Sequence, residues 1–128
     1  MKPVASNPFY TLFVEEQKRR VYLKIIGWWF NKDDVPNWLR DLETAAKMVR
    51  PGFTILTDLT EFKGGTQQPL HVEGQKLLIK AGLSKVGEVY AQGSIVARVQ
   101  VKMAAEESGM NVRQFESRSE AEAWLDRG

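Results

Sequence analysis

The chain has 128 residues, 27% charged and 43% hydrophobic, with a formal net charge of +2 at pH 7 and no cysteine. That length suits one domain with its own core, the composition argues against wholesale disorder, and the missing thiols exclude disulfides, thiol catalysis and thiolate metal sites. No apolar run reaches the roughly 18 residues of a membrane helix, and the first eight residues lack a signal-peptide apolar region, so a cytoplasmic location is expected.

Residues 1–8, with Pro3 and Pro8, are expected to form a flexible leader to a single domain over 9–128. Tyr10 to Glu16 is rich in β-formers and predicts a first strand. From Arg20 to Gly27, Val21, Leu23 and Ile25 alternate with Tyr22, Lys24 and Ile26, the period of a second strand. The short polar link between them predicts an antiparallel hairpin. The basic run Lys18-Arg19-Arg20 falls in that turn. Nucleic-acid binders cluster such residues on a face with interleaved aromatics, so no nucleic-acid partner is expected.

Asp33 or Asp34 is the expected N-cap of a helix with Pro36 in its first turn. Val35, Leu39, Leu42, Ala46 and Val49 make its apolar stripe, and Pro51-Gly52 ends it. Phe53 to Asp58 predicts a central strand. Thr60 to Gln68, containing Gly64-Gly65, is expected to be the longest polar connection. A second helix follows over about Pro69 to Ala81, with Leu70, Leu77, Leu78 and Ala81 inward and Gly82 as its stop. Lys85 to Ala91 is a further strand, and Ile95 to Ser108 a third helix capped by Ser94 and stopped by Gly109. Val112 to Phe115 is the last strand. Ser117 to Glu120 fits a capping box for a final helix burying Ala121, Trp124 and Leu125. The resulting β-β-α-β-α-β-α-β-α order predicts an α/β fold. Its mixed five-stranded sheet has an antiparallel first strand, the rest mainly parallel through right-handed crossovers.

This order resembles the STAS fold, and more closely the SpoIIAA-like group of small bacterial proteins, from about Tyr10 onwards. Three segments carry the resemblance: Pro51 to Thr60, Gly82 to Val86, and Phe115 to Leu125. The resemblance implies a non-enzymatic switch that docks protein partners, with the third helix and the loop after the central strand bordering the partner surface. It also implies a phosphorylated serine in an Asp-Ser-Ser-Gly-type motif after the central strand. Here the corresponding residues are Lys63-Gly64-Gly65-Thr66, without the aspartate or the serine. Thr66 does not occupy the serine position, so phospho-switching is not carried over.

Ligands of open α/β sheets sit at the carboxyl ends of the parallel strands. That edge gathers Trp28 to Asp33, Asp58 to Gln68, and Gln92-Gly93-Ser94. Gly93 and Ser94 are either a plain helix cap or an anion cradle of free N–H groups. Asp58 is either a turn former or an acid, base or metal ligand, which catalysis would pair with a second group such as His71, the one histidine. His71 is otherwise a solvent-facing helix residue. Trp28 and Trp29 should point to opposite faces of a strand. With Phe30 and Trp38 they are either lids on the core or an exposed aromatic anchor. Arg98, Lys102 and Glu106 lie four apart and suit an internally paired surface.

The reading these residues support first is a non-enzymatic regulatory or protein-binding module acting through Asp58, Thr60, Lys63, Gly64, Gly65, Thr66, Gly93 and Ser94. The alternative is a small-molecule binder holding an anionic or partly apolar ligand between that edge and Trp28, Trp29 and Trp38. An enzyme resting on Asp58 and His71 ranks third. No metal or cofactor is expected. A second copy of the chain is a further candidate partner, through edge strands or the tryptophans.

Overall fold

The computed structural model of the protein describes residues 1–91 and 95–127. Its strands are β1 (Lys2–Ser6), β2 (Tyr10–Glu15), β3 (Arg20–Trp29), β4 (Thr54–Gly65), β5 (Lys85–Val89) and β6 (Val112–Phe115). Its helices are α1 (Trp38–Val49), α2 (Gln68–Lys80), α3 (Ile95–Ser108) and α4 (Arg118–Asp126), with a 3-10 turn at Lys32–Asp34. The strands form one sheet in the order β1-β2-β3-β4-β5-β6. β2 is antiparallel to both its neighbours, and β3 to β6 run parallel.

The sheet therefore has six strands where the sequence predicts five. The extra one comes from the segment expected to be a flexible leader. Val4 and Ala5 pack against the core from this edge, and that burial holds the segment on β2. Pro3 is tolerated because an edge strand can lack one ladder N–H.

Alternation sets what each face of the sheet carries. Tyr10, Leu12 and Val14 of β2 and Val21, Leu23 and Ile25 of β3 enter the main core with Ile55 and Val86. That face is covered by α1, α2 and α3. Leu56 and Val89 point the other way and meet Ala121 and Leu125 of α4.

Two local predictions shift. α1 begins at Trp38, because Asn31 rather than Asp33 or Asp34 does the capping, and what it caps is the short 3-10 turn. Pro36 then lies between turn and helix. The stripe survives, with Trp38, Leu42, Ala45, Ala46 and Val49 buried. More consequentially, the polar connection expected from Thr60 is strand as far as Gly65. Leu59 and Phe62 are buried while Thr60, Glu61 and Lys63 face water, so the segment is one half-exposed strand with a register shift.

Arg20 ties hairpin, central strand and α4 together. Its side chain is buried, with Nε donating to Thr54 Oγ1 at 2.9 Å and Nη1 lying 2.6 Å from Glu122 and 2.9 Å from Asp126. Glu122 and Asp126 both reach water, so their charges are screened once Arg20 is removed. Arg20→Ala is expected to cost about 1–2 kcal/mol in urea unfolding, mostly through lost packing and the Thr54 hydrogen bond. Arg20→Lys should recover only part of it, since one ammonium lacks the planar fork that reaches all three groups.

Candidate functional site

The carboxyl ends of β3 and β4 carry most of the residues singled out by sequence, but not as a free loop. Gly65 lies opposite Trp29, and Thr66 donates its N–H to the Trp29 carbonyl at 2.9 Å. The Thr66 hydroxyl donates to the Phe30 carbonyl at 3.2 Å. Gly64 and Gly65 have φ of +114° and +146°. A Cβ on Gly65 would lie 2.1 Å from the Trp29 carbonyl oxygen, so only glycine fits. Gln100 of α3 then closes the arrangement, accepting from Gly65 N–H at 3.0 Å and donating to its carbonyl at 2.7 Å. Thr60 and Lys63 are exposed along the same strand. Gly93 and Ser94, the expected cradle or cap, lie outside the described residues.

Asp58 and His71 do not meet. The Asp58 carboxylate accepts the Thr60 N–H at 2.9 Å and the Thr60 hydroxyl at 2.6 Å, the behaviour of a local turn former. It shares a groove with Tyr22, Lys24 and Arg118 on the α4 side of the sheet. His71 is on the opposite side, its ring centroid 4.6 Å from Trp29 and 5.6 Å from Phe62. It is therefore neither Asp58's partner nor solvent-facing.

The two adjacent tryptophans do part, as expected. Trp29 is 2% exposed and packs edge-on against the buried Trp38 at 4.9 Å. Trp28 is 48% exposed and stacks on Phe30, itself 57% exposed, at 5.3 Å. One tryptophan is thus a core lid and the other an exposed anchor.

Near Trp28 runs α3, which the resemblance sets at the border of a partner surface, but with apolar exposure at other residues than the Ala97 and Val101 that sequence offers for a docking face. α3 buries Ala97, Val101, Ala104 and Ala105 yet leaves Ile95, Val96, Val99 and Met103 exposed. The signal was present in the i, i+4, i+8 spacing of Ile95, Val99 and Met103, on a helix already apolar on its inner side. α3 and Trp28 meet at Gly64, where a Cβ would lie 3.0 Å from Gln100 Oε1 and 3.6 Å from Trp28 Cζ3. Arg98 does not join the pairing expected along this helix. Its Nε donates to Gln114 of β6 at 3.2 Å, and its guanidinium lies over the Tyr90 ring.

Beneath α2 and α3 lies a cavity of about 50 Å³ open to water centres, walled by Trp29, Trp38, Phe62, His71, Glu88 and Val101 among others. At roughly 10–15 Å³ of such space per water, it exceeds a single-water void. Trp38 Nε1 and His71 Nε2 are both buried and have no hydrogen-bond partner among the described residues. Burial lowers the His71 pKa to about 4. Glu88, 2% exposed, is pushed up to about 7 by the same cause, despite a 2.6 Å hydrogen bond from the Tyr90 hydroxyl.

No family model and no curated protein matches the chain. Among solved structures, it is similar to an uncharacterized protein of the DUF3478 family with a SpoIIAA-like fold from Shewanella loihica PV-4. The TM-score is 0.63 at 18% identity, covering 94% of this chain and 98% of that one. The chain has a SpoIIAA-like fold. The fold expected from the three resembling segments is thus present, with β1 beyond the five strands expected from sequence. In this SpoIIAA-like fold the stretch Lys63-Gly64-Gly65-Thr66 ends the central strand.

Glu88 and His71 should pull stability in opposite directions with pH. Native Glu88 keeps its proton after the unfolded chain has lost it, so its contribution falls as pH rises from about 4.5 to about 7. Native His71 stays neutral while the unfolded chain takes a proton, so its contribution rises with pH from about 4 to about 6.5. In urea titrations at a series of pH values, Glu88→Gln should leave stability climbing through the His71 window. His71→Phe should leave it declining through the Glu88 window, and the parent chain should be flatter than either.

Proposed function

We propose that the chain is a non-enzymatic docking module that binds a protein partner through the surface formed by Trp28, Phe30 and the outer side of α3. The observation that carries this is the exposure of large apolar side chains on two segments that meet near Gly64: Trp28 and Phe30 at the end of β3, and Ile95, Val96, Val99 and Met103 on α3. Scattered exposed apolar residues are ordinary, whereas a continuous patch marks an interaction surface. A stacked Trp–Phe pair supplies large contact area at small entropic cost, as hot spots do. The separation of Asp58 from His71 by the sheet supports a non-enzymatic role.

The reading moves the docking surface away from Asp58 and Thr60 and keeps Gly64 and Gly65 as its frame. A photo-reactive amino acid at Val99, in cells of the native host, is expected to give one discrete protein adduct. The same probe at Thr44, exposed on α1, should give none. Trp28→Ser with Phe30→Ser should remove the adduct while changing stability by no more than about 0.5 kcal/mol, as for exposed sites. An adduct only to a second copy would replace this reading with self-association, and equal adducts at both positions would end it.

The cavity favours a second reading, that the chain binds a small molecule. Buried polar atoms are almost always paired. Trp38 Nε1 and His71 Nε2, unpaired among the described residues, border one void, and a small polar molecule or water seated there would satisfy them.

A further inference from the structure

The two edges of the sheet are not alike. β1 is blunted by Pro3, which lacks an N–H, and by a register shift between Pro3 and Ala5. β6 has neither device. Val86 donates its N–H to the Asn111 carbonyl at 2.9 Å, and Tyr90 donates to the Phe115 carbonyl at 3.2 Å. That register turns the backbone groups of Arg113 and Phe115 toward β5. The N–H and carbonyl of Val112 and Gln114 therefore point away from the sheet, and no described residue bonds them. α4 packs back over β4 and β5 through Ala121 and Leu125, so none of the described chain pairs outside β6.

We propose that β6 receives an extended peptide of another protein as a seventh, antiparallel strand, with an acidic residue of the peptide opposite Arg113. This goes beyond docking around Trp28 and uses none of the same residues.

The backbone groups of Val112 and Gln114 would hold any extended chain, so side chains must supply the selection. In an antiparallel ladder these two residues form the hydrogen-bonded pairs. Arg113 falls in the pair between them, where facing Cα atoms are about 4.5 Å apart and side chains come closest. Arg113 is exposed on the α4 side, its guanidinium 5.6 Å from the Phe115 ring and 6.0 Å from the Trp124 ring. Both rings and Arg127 line the same groove. Lys85 adds an ammonium 4.4 Å from the Trp124 ring. The acid of that groove, Glu120, already accepts from the Ser117 hydroxyl at 3.1 Å in the helix cap. Opposite charges directly across two strands attract and like charges repel, so the facing position selects a carboxylate. Two residues earlier in the peptide, the same side meets Phe115 and Trp124 and suits an aliphatic group.

A second copy brings no such acid. β6 can pair antiparallel with itself centred on Val112, Arg113 or Gln114, and Arg113 then faces Asn111, Arg113 or Phe115.

The probe is the capped hexapeptide Thr-Leu-Thr-Glu-Thr-Thr, titrated into the full nitrogen-15-labelled chain. Saturable shifts and slowed hydrogen exchange are expected at the Val112 and Gln114 amides. Lysine in place of the peptide's glutamate should weaken binding about fivefold or more. With Arg113→Glu, an exposed position, the preference should invert. N-methylation of the third and fifth peptide amides, which would face β6, should abolish binding, and N-methylation of the fourth should leave it. The peptide series runs on the unaltered chain, so a variant that fails to fold does not remove the test. Equal affinity for the glutamate and lysine peptides overturns the acidic occupant. Indifference to the methylation pattern, or no saturable change at Val112 and Gln114, overturns strand addition. Protection of those two amides that grows with protein concentration, without peptide, replaces the peptide by a second copy.

Discussion

The position that most of this molecule depends on is Gly65, where a side chain is sterically forbidden. The Trp29 carbonyl oxygen occupies the space its Cβ would need. That close approach lets β3 and β4 stay paired to their ends, which puts Trp29 into the core and Trp28 outside it. The same residue offers its N–H and carbonyl to Gln100, so α3 is anchored to the sheet at the point where β4 hands over to α2. Four elements are thus registered by a single missing methyl group. An alanine there would have to part the strands, and with them the aromatic arrangement on both sides of the sheet.

The two faces of the sheet have different burdens. The α4 face is closed by ordinary apolar packing around Leu56, Val89, Ala121 and Leu125, and its charges sit at the rim, where Arg20 gathers Glu122 and Asp126. The other face is larger, is covered by three helices, and contains a buried acid, a buried imidazole nitrogen and an unpaired indole N–H. Polar groups in such a place destabilise unless paired. Among the described residues these groups lie on one face and border one void, which is what the small-molecule reading rests on.

Much of the fold was legible because it follows from period and punctuation. The alternation of Val21, Leu23 and Ile25, the stripe ending at Val49, and the Ser117 cap all appear where those rules put them. The departures have physical causes that local patterns do not carry. Residues 2–6 become a strand because tertiary burial of Val4 and Ala5 holds them to β2. Thr60 to Gly65 looks like a loop because its outward side is polar and it ends in two glycines. It is a strand because Leu59 and Phe62 face inward around a register shift. The candidate site was less legible still. The cavity is formed by residues from six separate elements, and which atoms remain unpaired there is a property of packing.

The same close approach at Gly65 takes up Lys63-Gly64-Gly65-Thr66, the stretch where the resemblance implies a phosphorylated serine. Gly65 cannot hold a side chain, and the Thr66 hydroxyl is bonded to the Phe30 carbonyl. What the chain presents instead is α3, a helix with small inward residues, Ala97, Ala104 and Ala105, and large apolar outward ones. The small residues let it lie close over the sheet, and Val101 lines the void beneath. The large ones are not needed to hold the helix, which its inner side secures, and the proposed docking partner is what would cover them.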